Sequence, residues 1–224
     1  MSEQLTTSLM SRRRFVQRSG ALLFAAQCPV GLSRKAYANG TGGMMNSFVR
    51  IDPNNVITML ANNSEFGNGA YTVMSMMLAE ELDVDYRSIS LEPAPTTPEY
   101  YSPLFREYLT AGSVTTGSTF MPMRTAGAKA RAMLLEAASR DWRVPTDELA
   151  TADATVTHAK TGRSATYGEL LEVVHRLDIQ PPETVTLKDP SEFKILGKPT
   201  PRYEGAGKVD GSAQFGIDIK LPGM

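Results

Sequence analysis

The apolar and polar positions along the chain divide it into short extended runs and three helical stretches. Residues 48–52 and 56–61 are brief apolar runs around Pro53-Asn54-Asn55, which reads as a hairpin with a tight turn. Tyr71, Met74, Met77, Leu78 and Leu82 then recur at three and four residues, so the spacing predicts a helix from about Gly69 or Ala70. Its polar end, Glu80 and Glu81 followed by Asp83 and Asp85, is expected to face solvent. Residues 89–92 read as a strand stopped by Pro93 and Pro95. Residues 120–140, rich in alanine, form the strongest helical stretch, with Ser118 or Thr119 as N-cap and Pro122 in the first turn. A short helical turn is expected after Pro145, and two strands about Lys160-Thr161-Gly162. Thr166-Tyr167-Gly168-Glu169 fits a capping box, opening a helix that runs to about Arg176. Near the end, Phe215, Ile217 and Ile219 alternate as in the start of a strand.

Two stretches that carry no core stand ahead of helices. Glu65-Phe66-Gly67-Asn68-Gly69 precedes the first, and its glycines allow turns and close approaches closed to other residues. The run 110–119, TAGSVTTGST, is nearly all small and hydroxylic and precedes the alanine-rich helix. A helix start offers unpaired backbone N–H groups, which suit an anion or a polar heterocycle. A solvated loop and an ordinary capped helix start account for the same residues. Between these stretches, 96–109 is irregular and holds Tyr100, Tyr101, Phe105 and Tyr108. Such a loop either packs on its own domain or lines a substrate approach or subunit contact.

Charge changes the picture at the N-terminus. The formal net charge of -1 hides an asymmetry: residues 1–38 carry Arg12, Arg13, Arg14, Arg18, Arg34 and Lys35 against Glu3, leaving 17 basic and 23 acidic residues after them. The remainder is acidic, which excludes a nucleic-acid footprint there. The run SRRRFVQ, a mild apolar segment too short to span a bilayer, and Ala36-Tyr37-Ala38 together read as a twin-arginine export signal over 1–38. Such a signal implies folding before export to the periplasm, with no transmembrane segment once it is removed. The single cysteine, Cys28, lies inside that leader. A mature chain without it has no disulfide, thiolate zinc site or iron–sulfur cluster of its own. His158 and His175, the two histidines, are far apart in sequence and read as structural and surface residues.

Three motifs in order carry a family resemblance. Glu65-Phe66-Gly67-Asn68-Gly69 is similar to the E-M-G-Q-G loop of the molybdopterin-binding subunit of the xanthine dehydrogenase and aldehyde oxidase family, with Asn68 one methylene shorter than the usual glutamine. The 110–119 run resembles the family's segment at the cofactor's dinucleotide. Gly197-Lys198-Pro199, Lys208-Val209-Asp210-Gly211 and Phe215-Gly216-Ile217-Asp218 resemble the start of its substrate-side domain. The order resembles that of the isoquinoline 1-oxidoreductase beta-subunit type.

The resemblance implies an α+β fold, a mixed sheet with packed helices. With the leader at 1–38 and a glycine-rich linker at 39–47, it leaves a molybdopterin-binding-like domain at 48–190 and a connector opening a second domain at 191–224. It also implies molybdenum held by molybdopterin, in the cytosine dinucleotide form. Gly67, Asn68 and Gly69 would meet the pterin, and Thr115, Thr116 and Ser118 the phosphates or nucleotide. No residue here matches the family's metal-side glutamate base, and Glu65 is expected to order its loop instead. The implied partners are the rest of a large subunit, an iron–sulfur small subunit and a cytochrome acceptor, with peripheral membrane attachment through them. The implied reaction is oxidation of an aldehyde or N-heterocycle using water. An isolated chain is expected to be inactive. The competing readings are an exported non-enzymatic binding or accessory domain, and an inactive truncated remnant.

Overall fold

A computed structural model describes residues 43–224. The expected export signal, with Cys28, lies outside the described residues. These residues fall within one compact unit, Thr41–Met224.

Four strands form the first sheet: β1 (Gly43–Asn46), β2 (Val49–Ile51), β3 (Ile57–Ala61) and β4 (Ser90–Pro93). They lie in that order, the first two pairs antiparallel and β3–β4 parallel. The expected hairpin is β2–β3. Its turn is closed by Asp52, whose carboxylate accepts from Asn54 N at 2.8 Å and Val56 N at 2.9 Å. A parallel pair needs a crossover, and α1 (Ala70–Leu82) supplies it between β3 and β4. The expected linker at 39–47 contains β1, because Met45 has an apolar place to go and is 1% exposed.

α2 (Thr115–Trp142) starts a turn earlier than the alanine pattern predicts, so Thr115, Thr116 and Ser118 belong to the helix itself. Pro122 is consequently its eighth residue. Lacking an N–H, it cannot bond the Ser118 carbonyl one turn back. α2 packs on α1. An ideal Cβ on Gly127 would stand 2.6 Å from the Leu78 carbonyl oxygen, so no larger residue fits that crossing. Contacts climb in the same sense along both helices: Thr119 meets Met77, Arg124 meets Glu81, and Arg131 meets Asp83. The two helices therefore run parallel, with their N-termini at one end of the molecule.

A second sheet, the antiparallel meander β5 (Leu149–Ala152), β6 (Thr155–His158) and β7 (Arg163–Thr166), leads into α3 (Tyr167–Arg176) through the expected capping box. His158, 2% exposed, bonds Thr161 Oγ1 at 2.8 Å and Glu148 Oε2 at 2.9 Å, a structural role. The 96–109 loop tucks onto its own unit through Tyr100 and Tyr108, while Leu104 and Phe105 stay exposed. Tyr100 is buried edge-on to Phe48 with ring centroids 5.3 Å apart, and the Tyr108 hydroxyl donates to the Ala61 carbonyl at 3.0 Å.

Two further expectations fail. Glu80 and Glu81 do not face solvent; they are 1% and 0% exposed. Glu80 sits in a nest of successive backbone N–H groups, from Lys194 at 3.0 Å, Ile195 at 2.7 Å and Leu196 at 2.9 Å. Glu81 accepts from Arg124 Nη2 at 2.6 Å and from Lys188 N at 3.2 Å. Desolvation and pairing meet on Asp83 as well. Burial works to raise its pKa, but the Lys188 ammonium at 2.6 Å, the Thr151 hydroxyl and Arg131 together hold its carboxyl below the usual range. The second failure is the strand over Phe215, Ile217 and Ile219. These side chains stay exposed and Gly216–Asp218 is a 3-10 turn, because a strand without a neighbouring strand leaves its backbone groups unpaired.

Candidate functional site

The two motif stretches meet at the end where α1 and α2 begin. Asn63 Nδ2 donates to the Leu109 carbonyl at 2.8 Å, and Ser64 N donates to Thr110 Oγ1 at 2.8 Å. These bonds sew the base of the glycine loop to the base of the hydroxylic run.

The glycine loop is an ordered bend. Gly67 and Gly69 both have positive φ, 102° and 80°, a region open at low cost only to glycine. Gly69 is the N-cap of α1 and brings no side chain to the first turn. Glu65 takes that place. Its Oε1 accepts from Gly67 N at 2.6 Å and Gly69 N at 3.1 Å, and its Oε2 accepts from Tyr71 N at 3.3 Å. A carboxylate against the positive end of a helix is stabilising. The expectation that Glu65 orders its own loop matches this geometry. The expectation that the Gly67 and Gly69 amides face a ligand does not, since both N–H groups are already committed to Glu65. Asn68 is exposed at the tip of the bend, with its Oδ1 accepting from Ala70 N at 3.2 Å.

The start of α2 differs. It has neither a side-chain cap among the described residues nor an acidic residue in its first turn. The first-turn N–H groups of Thr115, Thr116 and Gly117 therefore have no partner within the helix. Thr116 and Gly117 are exposed and Thr115 is half-buried. Ser118 is placed otherwise: it is 6% exposed and its hydroxyl bonds the Thr115 carbonyl at 3.3 Å, so it is not offered outward. Thr119 turns back in the same way, at 2.7 Å.

A phosphate-bearing heterocycle fits what remains. An uncapped helix start with exposed hydroxyls and no nearby first-turn acid suits a phosphate. The exposed Asn68 amide suits a polar ring. No group of three or more histidine, cysteine, aspartate or glutamate side chains placed to hold a metal occurs among the described residues. A cleft of about 410 Å³ lies at the opposite end of α1, lined by Glu80, Asp83, Tyr86, Asp153 and Ile195, away from both motifs.

The bonds that unite the site were not legible in the sequence. Asn63, Ser64 and Thr110 are ordinary loop residues in the sequence. Arg202, whose Nη1 donates to the Gly67 carbonyl at 3.0 Å, arrives from 135 residues downstream.

Comparison with known proteins names the class of this domain. The chain belongs to the molybdopterin cofactor-binding domain family, whose profile matches residues 15–219. It is 31% identical to the beta subunit of isoquinoline 1-oxidoreductase from Brevundimonas diminuta, over 97% of this chain and 33% of that protein. It is 26% identical to a nicotinate dehydrogenase subunit from Pseudomonas putida, over 79% of this chain and 14% of that protein. Among solved structures, the reconstituted CO dehydrogenase from Oligotropha carboxidovorans aligns with a TM-score of 0.46 and 18% identity, over 80% of this chain and 26% of that one. The chain thus spans a third or less of the length of these relatives.

Proposed function

We propose that this chain holds the organic part of the molybdenum cofactor in an exported molybdenum hydroxylase. The observation that carries the reading is the parallel packing of α1 and α2, which brings both motif stretches to one end of the molecule. Asn68 addresses the pterin through its side-chain amide. Thr115 and Thr116 address the phosphates of a dinucleotide form, the cytosine form by family resemblance, with the first-turn N–H groups of α2. Ser118 stabilises that turn from inside. Gly67 and Gly69 act through their backbone shape, while Glu65 takes their N–H groups.

When bound, the group supplies the oxidation of an aldehyde or N-heterocycle with oxygen from water. The described residues bind and orient it, and the proton-accepting base comes from elsewhere in the assembly. The relatives' names favour N-heterocycles. Electrons pass to an iron–sulfur subunit and on to a cytochrome. The twin-arginine leader sends the folded protein to the periplasm, where partners hold it at the membrane. No helix among the described residues is long and apolar enough to cross one. Residues 48–190, with β1 ahead of them, form the cofactor domain, and 191–224 open the substrate-side domain.

The test is pterin and molybdenum analysis of the protein co-expressed with its genomic neighbours in a host that makes molybdopterin. The expected result is both in near-stoichiometric amount, with pterin falling in Asn68→Ala and Thr115→Ala. Protein purified without pterin, or full retention in every variant, overturns the reading and favours a non-enzymatic domain.

A further inference from the structure

The segment from Lys188 to Lys208 lies along α1 as an antiparallel strap. Lys188 and residues 194–196 are bound at the C-terminal end by Glu81 and Glu80. Thr200 then meets Met76, and Tyr203 N donates to Thr72 Oγ1 at 3.0 Å. Thr72 in turn donates to Glu204 Oε2 at 3.1 Å, which sets the strap's register one turn from the glycine bend.

At the bend, two side chains grip Gly67. Glu65 accepts from its N–H at 2.6 Å, and Arg202 donates to its carbonyl at 3.0 Å. A Cβ built on Gly67 would meet nothing within 4 Å, so the space beside the bend is open. A glycine peptide turns over at little cost. In a trans peptide the N–H points opposite to the C=O. Holding the Gly67 carbonyl toward the strap therefore turns the Asn68 N–H away from it. With the Gly67 and Gly69 N–H groups committed to Glu65, Asn68 supplies the outward donors of the bend's tip.

We propose that Arg202 is a positioning residue for the cofactor: by holding the 67–68 peptide it aims the backbone N–H and side chain of Asn68 at the ligand. The inference rests on the function proposed above. The guanidinium has an ionic partner beside the bend. Glu204 stands 3.6 Å from it, and an ideal Cβ on Gly69 would lie 3.9 Å from its carbon and Nη2. Lys208 approaches the same Glu204 at 3.0 Å and Glu65 at 3.9 Å, so the charges around the bend alternate.

The experiment measures the rate of pterin loss on dialysis, per folded molecule, for the protein co-expressed with its neighbours, beside its melting temperature. Arg202→Met is expected to lose pterin about tenfold faster, the scale of one hydrogen bond to a charged group, with melting unchanged. Arg202→Lys recovers part of the retention. Thr72→Val, which frees the strap's register without touching the bend, shifts it in the same direction by less. Arg202→Met that keeps pterin as long as wild type, or loses it only in step with a lower melting temperature, overturns the inference while the proposed function stands. Wild-type protein without pterin overturns both.

Discussion

The two ends of α1 solve opposite problems with the same side chain type. At the C-terminal end, Glu80 and Glu81 are buried and Asp83 half-buried, and they are matched by Arg124, Arg131, Lys188 and the backbone of the strap. Carboxylates near a helix C-terminus oppose the helix dipole, so they persist there because every one has partners. At the N-terminal end Glu65 sits with the dipole and satisfies the bend, with Glu204 on Thr72 beside it, while Asn68, Thr116 and Gly117 stay exposed. One end fixes the fold; the other leaves donors outward. Stability and binding should therefore be separable by mutation.

The largest effect is expected at the fixed end. Arg124→Met leaves Glu81, with no exposure, without its cationic partner and should cost about 3–5 kcal/mol in urea unfolding. A loss under about 1 kcal/mol would mean that the backbone of Lys188 alone satisfies that carboxylate. Next, Gly127→Ala drives a methyl against the Leu78 carbonyl and should cost about 1–3 kcal/mol by forcing α1 and α2 apart. Because that crossing also sets the two helix starts, pterin retention should fall with it.

Asp83 gives a pH signature. Its folded pKa is below the ordinary 3.8, so the folded state binds fewer protons than the unfolded chain in that range. Its contribution is present above about pH 4 and is lost as the pH falls through the lower folded value. Melting followed from neutral to acid pH should show this loss, and Asp83→Asn should flatten that part of the profile. The smallest stability change is expected at the open end. Thr116→Ala should stay within about 0.5 kcal/mol of wild type in unfolding while releasing pterin faster. A stability loss as large as that of Gly127→Ala would erase the contrast between the two ends.

Local rules made much of this fold readable. The β2–β3 hairpin, the start of α1 and the capping box at Thr166 and Glu169 each depend on residues within a few positions of one another. Helix α2 was harder to bound, since TAGSVTTGST lacks the apolar periodicity that marks a start, although Thr119 just past its first turn meets Met77 of α1. In the site, the glycines and the hydroxylic run were legible as unusual composition. Which of their groups face outward was not. Ser118 and Thr119 differ little from Thr115 and Thr116 on paper, yet their hydroxyls turn back onto the Thr115 carbonyl and both are buried, Thr119 against Met77 of α1.

The sequence by itself determined the candidate chemistry: glycines where the backbone must take positive φ, hydroxyls at a helix start, and a glutamate spaced to reach back onto its own loop. Tertiary structure alone decided that Glu80 and Glu81 are interior groups and that Arg202 reaches the Gly67 bend. Their partners lie 43 to 135 residues away, and no periodicity carries information over that distance. A charged side chain reads as solvated until the fold brings it an opposite charge or a row of N–H groups, and that pairing is a property of packing rather than of spacing.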